Sequence, residues 1–220
     1  MNSQNLERAF STSTSDIRFQ TIINDYCRRN GFQQNLVAGL RFRHQRDVSP
    51  AFGFGMKFPS ILGFPEFPIG AIFISDVLCS RLPEDELEFV VLHELGHIVY
   101  SHSVNNLIVY GLKTTFVSWL TEIFEVTPTV VENVIGLLKW LYHTWSGQRT
   151  IEEQITAQKE LEADRYGVTL QGRKEPAISV LIKITNQNID APTHVTVDGS
   201  FVLPAITARE RIEAIRNLHL

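Results

Sequence analysis

The sequence predicts one α+β domain, with a small β-sheet in its first third and a mostly helical C-terminal part. Two patterns predict this class: short β-prone runs bounded by glycine and proline lie between residues 36 and 75, and later segments carry apolar residues at helical spacing. A chain of 220 residues, 44% hydrophobic, is long enough for one sizeable core. We expect a flexible arm at residues 1–15, rich in Ser, Thr and Asn, and a single domain over residues 16–220.

The first third holds one predicted helix and three predicted strands. Helical spacing of apolar residues favours a helix from Asp16 to Asn30. The β-prone run Leu36–Phe42 is followed by Pro50–Gly55, and this stretch fits two strands separated by a glycine-rich turn region. Gly70–Ser75 is the clearest strand pattern, because it is a short apolar run bounded by turn residues.

A buried helix is predicted to begin at Pro83. Proline suits the first turn of a helix, and the acidic run Glu84–Glu86 complements the positive end of the helix dipole. Apolar residues then recur from Leu87 to Val99 over a wide face, which indicates burial. Charged or polar groups on such a helix are costly to bury unless they have a partner.

Residues 104–146 form an apolar insert with helical spacing, which we interpret as a helical hairpin. Charges interrupt both halves, for example Lys113 in the first and Lys139 in the second. A helix that spans a bilayer needs about twenty largely uncharged residues. The pattern therefore favours a soluble hairpin, and peripheral or embedded contact with a membrane is the alternative.

The C-terminal part is predicted to be mainly helical. Helices are expected at Ile151–Leu170, Pro176–Asn186 and Ala208–Leu218, each from apolar residues at helical spacing. The segment Asn188–Leu203 is polar and is predicted to be irregular.

Composition excludes some classes of function. A net charge of −4 and a pI near 6.0 argue against a nucleic-acid binder, which would usually be basic. Cys27 and Cys79 are too few for a disulfide framework, so we expect reduced thiols. Residues 1–15 lack the apolar region of a secretory signal, and a cytoplasmic protein is expected, with membrane association as the alternative.

The predicted buried helix carries the sequence His93-Glu94-Leu95-Gly96-His97, which matches the pattern H-E-x-x-H. Four residues advance a helix by about 400°, so both imidazoles leave the same face and can share a metal ion. Glu94 lies about 100° around the helix, where it can reach a metal-bound water without being a ligand. The alternative is a pair of hydrogen-bonded core histidines.

A catalytic zinc site needs a third protein ligand, and Glu160 is the best candidate. Asp164 is four residues further along the same helix face, where it can accept the outer N–H of a ligand histidine. Glu162 falls on the opposite side and is predicted to be a solvated bystander. His102 lies about 140° from His97 if the helix that begins at Pro83 continues to it, so we expect a structural role rather than metal ligation.

HELGH at residues 93–97 followed by ELEAD at residues 160–164 resembles the gluzincin metallopeptidases of the HtpX and CAAX prenyl protease family. The likeness includes the strand at Gly70–Ser75 and the acidic helix start at Leu82–Leu87. It covers about residues 45–102 and 150–170, with a weaker likeness in a C-terminal helix around Arg211. The resemblance implies a zincin-like metallopeptidase domain. By analogy with gluzincins, the strand near Ile72–Ser75 is expected to be an edge with which an extended peptide substrate pairs.

We therefore interpret the chain as a metalloendopeptidase that holds one Zn²⁺ between His93, His97 and Glu160 and acts on protein or peptide substrates. Glu94 is the expected general base. The family often has a histidine before a proline in its C-terminal segment, where this chain has Leu203 and Pro204. A transition-state-stabilising imidazole is then either absent or supplied by His194, our candidate for substrate contact. The alternative function is a regulatory or scaffolding protein that keeps the metal site but has little protease activity.

Overall fold

The computed structural model describes residues 13–43, 51–58, 67–102, 127–129, 151–185, 190, 192–197 and 201–220. The elements, in chain order, are β1 (Thr14–Ser15), α1 (Ile17–Arg29), β2 (Val37–Phe42), β3 (Ala51–Phe58), β4 (Phe67–Ser75), α2 (Asp76–Arg81), α3 (Glu84–Val99), α4 (Ile151–Gln171), α5 (Glu175–Ile184), β5 (Pro192–Val197), β6 (Phe201–Thr207) and α6 (Ala208–Arg216). The predicted α+β class, with a small sheet followed by mostly helical structure, is confirmed.

The first four strands form one sheet in the order β1-β2-β4-β3. Strand β4 pairs in parallel with β2, where Leu40 is opposite Phe73, and antiparallel with β3, where Gly53 is opposite Ile72. The expectation that the strand near Ile72–Ser75 is an open edge for a peptide is therefore wrong, because β2 and β3 occupy both of its sides. Strand β3 is the last strand in this order, and it packs against α3.

Two predicted segments fall mostly outside the described residues. Residues 1–12 of the predicted arm are not among them, and its last residues, Thr14 and Ser15, form β1 against Arg41 and Leu40. The predicted apolar hairpin at 104–146 also lies outside them, apart from residues 127–129. The flexible arm and the hairpin insert both stay predictions.

Helix α3 runs through the core and packs against α4, α5, α1 and strands β3 and β4. Its apolar side chains are buried around most of its circumference, which explains why its sequence is hydrophobic almost throughout. Glu86 in its first turn is buried and accepts hydrogen bonds from Lys183 Nζ at 2.6 Å and Ser179 Oγ at 2.7 Å. These contacts join the first turn of α3 to α5.

The C-terminal segment differs from its prediction. The predicted irregular stretch 188–203 includes strand β5 and the start of β6, which pair antiparallel with an irregularity between Thr193 and His194. Its alternating Thr and Val residues suit a strand, and the prolines are tolerated because one begins β5 and the sheet has two strands. A short helix, α2, was also not predicted, and the Ser75 side chain caps it by accepting from Leu78 N at 3.3 Å.

Candidate metal centre

Helices α3 and α4 bring the three predicted metal ligands together. His93 and His97 lie one turn apart on α3, with their Nε2 atoms 3.1 Å from each other. Glu160, on α4, places Oε2 3.7 Å from His93 Nε2 and Oε1 3.5 Å from His97 Nε2. All three residues are buried or half-buried. Two imidazole nitrogens and a carboxylate thus converge on one point.

The spacing of these atoms fits a zinc ion. Zinc–nitrogen and zinc–oxygen bonds of about 2.0–2.1 Å in a tetrahedron separate neighbouring ligand atoms by roughly 3.4 Å. The distances here run from 3.1 to 3.7 Å. Within the described part of the chain, no other group of three or more His, Cys, Asp or Glu side chains is close enough to hold a metal ion. Two histidines, one carboxylate and a fourth open position make up a catalytic zinc set.

Small residues at the contact between α3 and α4 allow the two helices to approach closely. A Cβ added at Gly96 would lie 3.2 Å from the Ala163 Cα, and one added at Gly167 would lie 3.1 Å from the Phe89 ring and 3.2 Å from the His93 backbone nitrogen. Larger residues at these positions would push the helices apart. The glycines therefore help to bring the α4 carboxylates within reach of the histidines.

Asp164 lies next to Nδ1 of the His93 ring, on the side away from the other metal ligands. Its Oδ1 is 2.9 Å from His93 Nδ1, although the N–H is not directed along that line. Arg211, on α6, donates to both Asp164 oxygens at 2.6 Å and lies 3.1 Å from Glu160 Oε2 through Nη1. Asp164 and Arg211 are 1% and 6% exposed. Sequence reasoning did not assign Arg211 to the site, because its partners are 47 and more residues away along the chain.

The charge states of these groups suit a cation. Burial opposes the charge of Glu160, but Arg211 and both imidazoles outweigh it and hold its pKa below the ordinary value. Burial lowers the pKa of His97 to about 3, so that ring is neutral with a lone pair available. Burial lowers the pKa of His93, but Asp164 outweighs it and holds the pKa of that ring above its ordinary value.

Glu94 is buried on the side of α3 that faces β3. Burial is the largest cause of its raised pKa, about 7, and the Gly53 backbone N–H opposes this by hydrogen bonding to the carboxylate. A Cβ at Gly53 would lie 2.5 Å from the Glu94 carbonyl oxygen, so β3 approaches α3 as closely as a glycine permits. A carboxyl group with a pKa near 7 exchanges a proton readily at neutral pH.

His102 contacts the second ligand histidine, His97, and is not among the three converging ligands. Helix α3 ends at Val99, and Ser101 takes a left-handed conformation with φ of 55°, which turns the chain back. His102 Nδ1 then lies 2.8 Å from His97 Nδ1, and His102 Nε2 lies 3.2 Å from Glu162 Oε2. The prediction that Glu162 is a solvated bystander is therefore wrong, because it contacts a residue of the site.

His194 lies on strand β5 rather than in a polar loop. It stands opposite Pro204 of β6 in the strand register. Its side chain falls outside the described residues, so its contact with substrate stays a prediction.

None of the helices among the described residues is both long enough and apolar enough to cross a membrane.

Comparison with known proteins gives a consistent set of relatives. The family model "Peptidase family M48" matches residues 20–218. A protease HtpX homolog of Acidovorax ebreus is 24% identical over 189 residues, covering 74% of this chain and 61% of the relative. Protease HtpX of Legionella pneumophila is 23% identical over 189 residues, covering 79% of this chain and 67% of the relative.

A solved structure shares the fold. The crystal structure of S. mikatae Ste24p superimposes with a TM-score of 0.55 at 19% identity, covering 92% of this chain and 50% of that one. The chain thus spans between half and about two thirds of the length of these relatives.

Proposed function

The chain belongs to peptidase family M48, and from this premise we propose that it is a zinc metalloendopeptidase acting on proteins or peptides. The family membership agrees with the resemblance drawn from the HELGH and ELEAD motifs. The observation that carries the proposal is the convergence of His93, His97 and Glu160, with ligand atoms 3.1–3.7 Å apart. Their chemistry and spacing suit a catalytic zinc ion.

His93, His97 and Glu160 would hold the metal through two Nε2 atoms and a carboxylate. A zinc ion bound there would polarise the scissile carbonyl and acidify a water molecule. Arg211 keeps Glu160 and Asp164 ionised, and the Asp164 carboxylate lies 2.9 Å from His93 Nδ1, where a small rotation of the ring would let it accept that N–H. These contacts support a preorganised site rather than one assembled from exposed side chains.

Glu94 is the proposed general base. Its carboxylate takes a proton from the attacking water and then gives it to the nitrogen of the leaving amine. Burial supports proton uptake, because it raises the pKa of the Glu94 carboxyl above its ordinary value in the metal-free chain.

The test is the substitution Glu94→Gln. The variant should bind zinc as the unaltered chain does, because the three ligands remain, and should lose roughly 10²–10⁴-fold in turnover. Cleavage of an unstructured protein substrate and metal content of the purified protein are the two measurements. Glu84→Gln, an exposed carboxylate at the start of the same helix, is the matched control.

Full turnover in Glu94→Gln would remove the proposed mechanism. A zinc-loaded chain that cleaves no substrate, with or without residues 1–15, would instead favour the regulatory or scaffolding function.

Membrane contact through residues 104–146 is a separate proposal, and so is the expected cytoplasmic location. Flotation of the purified chain with liposomes measures the first directly, since a membrane-binding insert would carry the protein with the vesicles.

A further inference from the structure

The two ligand histidines have different partners at the nitrogen that faces away from the metal centre. His93 Nδ1 faces the Asp164 carboxylate, whose charge Arg211 balances. His97 Nδ1 faces a second imidazole, that of His102, at 2.8 Å. Two facing imidazole nitrogens share one hydrogen, so the protonation of one ring dictates that of the other.

A single arrangement of hydrogens satisfies every group in this chain of contacts when His97 binds a metal. A ligand imidazole that uses Nε2 carries its hydrogen on Nδ1, which then donates to His102 Nδ1. His102 must then carry its own hydrogen on Nε2, which lies 3.2 Å from Glu162 Oε2, and donate it to that carboxylate.

The reverse arrangement is unfavourable at both ends. A hydrogen on His102 Nδ1 would leave its Nε2 lone pair facing the Glu162 carboxylate. It would also leave the hydrogen of His97 on Nε2, the atom that faces the metal centre. Glu162 therefore selects, through His102, the tautomer of His97 that can bind a cation.

Both positioning groups are themselves held in place. His102 is 4% exposed and stacks on the Tyr100 ring, with centroids 5.6 Å apart. Glu162 accepts from Gln158 Nε2 at 2.9 Å through its other oxygen. His102 follows α3 and Glu162 lies on α4, so this pair links the same two helices that supply the metal ligands.

We infer that His102 and Glu162 are positioning residues that hold His97 in the tautomer and orientation required to bind zinc. The inference rests on the proposed metal centre and concerns residues beyond its ligands. Loss of such an outer hydrogen-bond partner typically weakens metal binding by 10–100-fold.

The experiment measures zinc affinity of the full chain by competition with a chromogenic chelator. His102→Leu removes the acceptor for the His97 N–H and should weaken zinc binding roughly 10-fold or more. Glu162→Gln should have a smaller effect, since Glu162 is 39% exposed and water can replace part of its contact. His219→Leu and Glu213→Gln make the same chemical changes at exposed positions on or after α6 and serve as controls.

Two further variants separate positioning from a general packing role. His102→Asn retains an amide oxygen that can accept from His97 Nδ1, and should recover part of the zinc affinity that His102→Leu loses. In the His102→Leu background, Glu162→Gln should change zinc affinity no further, because its effect passes through His102. The visible absorption of the Co²⁺-loaded protein should change in His102→Leu and move back toward the unaltered spectrum in His102→Asn.

Zinc affinity equal to that of the unaltered chain in both His102→Leu and Glu162→Gln would overturn the inference and leave the proposed function standing. An undiminished effect of Glu162→Gln in the His102→Leu background would also overturn it, since Glu162 would then act by another route. If the unaltered chain binds no zinc, both the proposed function and this inference fail. If His102→Leu does not fold, His102→Asn and Glu162→Gln decide the result.

Discussion

Glu94 and Asp164 are two carboxyl groups at comparable depth in the same site, and their environments move their pKa values in opposite directions. Burial raises the pKa of Glu94, whereas Arg211 outweighs burial at Asp164 and lowers its pKa. The surroundings of the two carboxylates differ. Asp164 accepts from the Arg211 guanidinium through both oxygens, whereas at Glu94 burial and the Glu160 charge outweigh the opposing effects of His93 and the Gly53 backbone N–H. Direct contact with Arg211 therefore distinguishes the carboxylate whose pKa is lowered from the one whose pKa is raised.

The buried Glu94 carboxyl should reduce the stability of the metal-free protein as pH rises. Its pKa is about 7 in the folded chain and 4.5 in the reference state, so between these values the folded chain retains a proton that the unfolded chain has lost. The free energy of unfolding then falls with rising pH, by up to about 3 kcal/mol. Glu94→Gln should remove this loss. The free energy of unfolding of the variant, relative to that of the unaltered chain, should therefore increase as pH rises from 4.5 to 8.

Urea unfolding of both proteins in the presence of a chelator measures this difference. If the free energies of unfolding of Glu94→Gln and the unaltered chain differ by the same amount at pH 4.5 and at pH 8, the assignment of a raised pKa is contradicted. Glu84→Gln is again the control for the chemical change, since Glu84 is exposed at the start of α3.

At the scale of the elements, the site depends on how closely β3, α3 and α4 approach one another. Sequence patterns predicted each of these elements, because hydrophobic period and turn residues are local properties. They did not predict the distances between these elements, because those depend on which glycines lie at the contacts between β3, α3 and α4. Ser101 is an example: a serine with φ of 55° has no sequence signature, yet it determines that His102 meets His97.

Gly53→Ala tests the approach of β3 to α3. The added methyl group would lie 2.5 Å from the Glu94 carbonyl oxygen, so the strand must shift, at a cost of about 1–3 kcal/mol in the free energy of unfolding. Turnover should fall because the shift disturbs Glu94, while zinc content should stay unchanged because α3 and α4 supply all three ligands. Denaturant unfolding, peptide cleavage and metal analysis measure the three effects, and a loss of zinc equal to the loss of turnover would contradict this division.

At the scale of the whole molecule, three distant parts of the sequence build one centre: α3, α4 and α6. The family resemblance and the α+β class could be predicted, since motif spacing and periodicity carry them. The strand order could not, because it depends on the parallel pairing of β2 with β4 that places β3 at the outside. The expected peptide-binding edge was assigned to the wrong strand for this reason. The contact of Arg211 with the α4 carboxylates could not be predicted either, because no local pattern connects α6 to α4.

Zinc should stabilise the whole fold, because its ligands come from helices that are far apart in sequence. At a free zinc concentration 1,000-fold above the dissociation constant, binding adds about 4 kcal/mol to the free energy of unfolding. For a chain of this size that corresponds to roughly 8–16 °C in Tm. Thermal melts with zinc and with a chelator measure the shift, and Glu160→Ala should lose most of it. An equal shift in Glu160→Ala would show that this carboxylate is not a ligand.

The position of Arg211 on α6 has a consequence for biosynthesis. Translation delivers His93 and His97 first, then Glu160 and Asp164, and only afterwards the guanidinium that balances the two acids. We therefore expect the charges of these two acids to be balanced only after α6 has been synthesised and has packed against α4. The proposed metal centre would then be among the last parts of the fold to be completed.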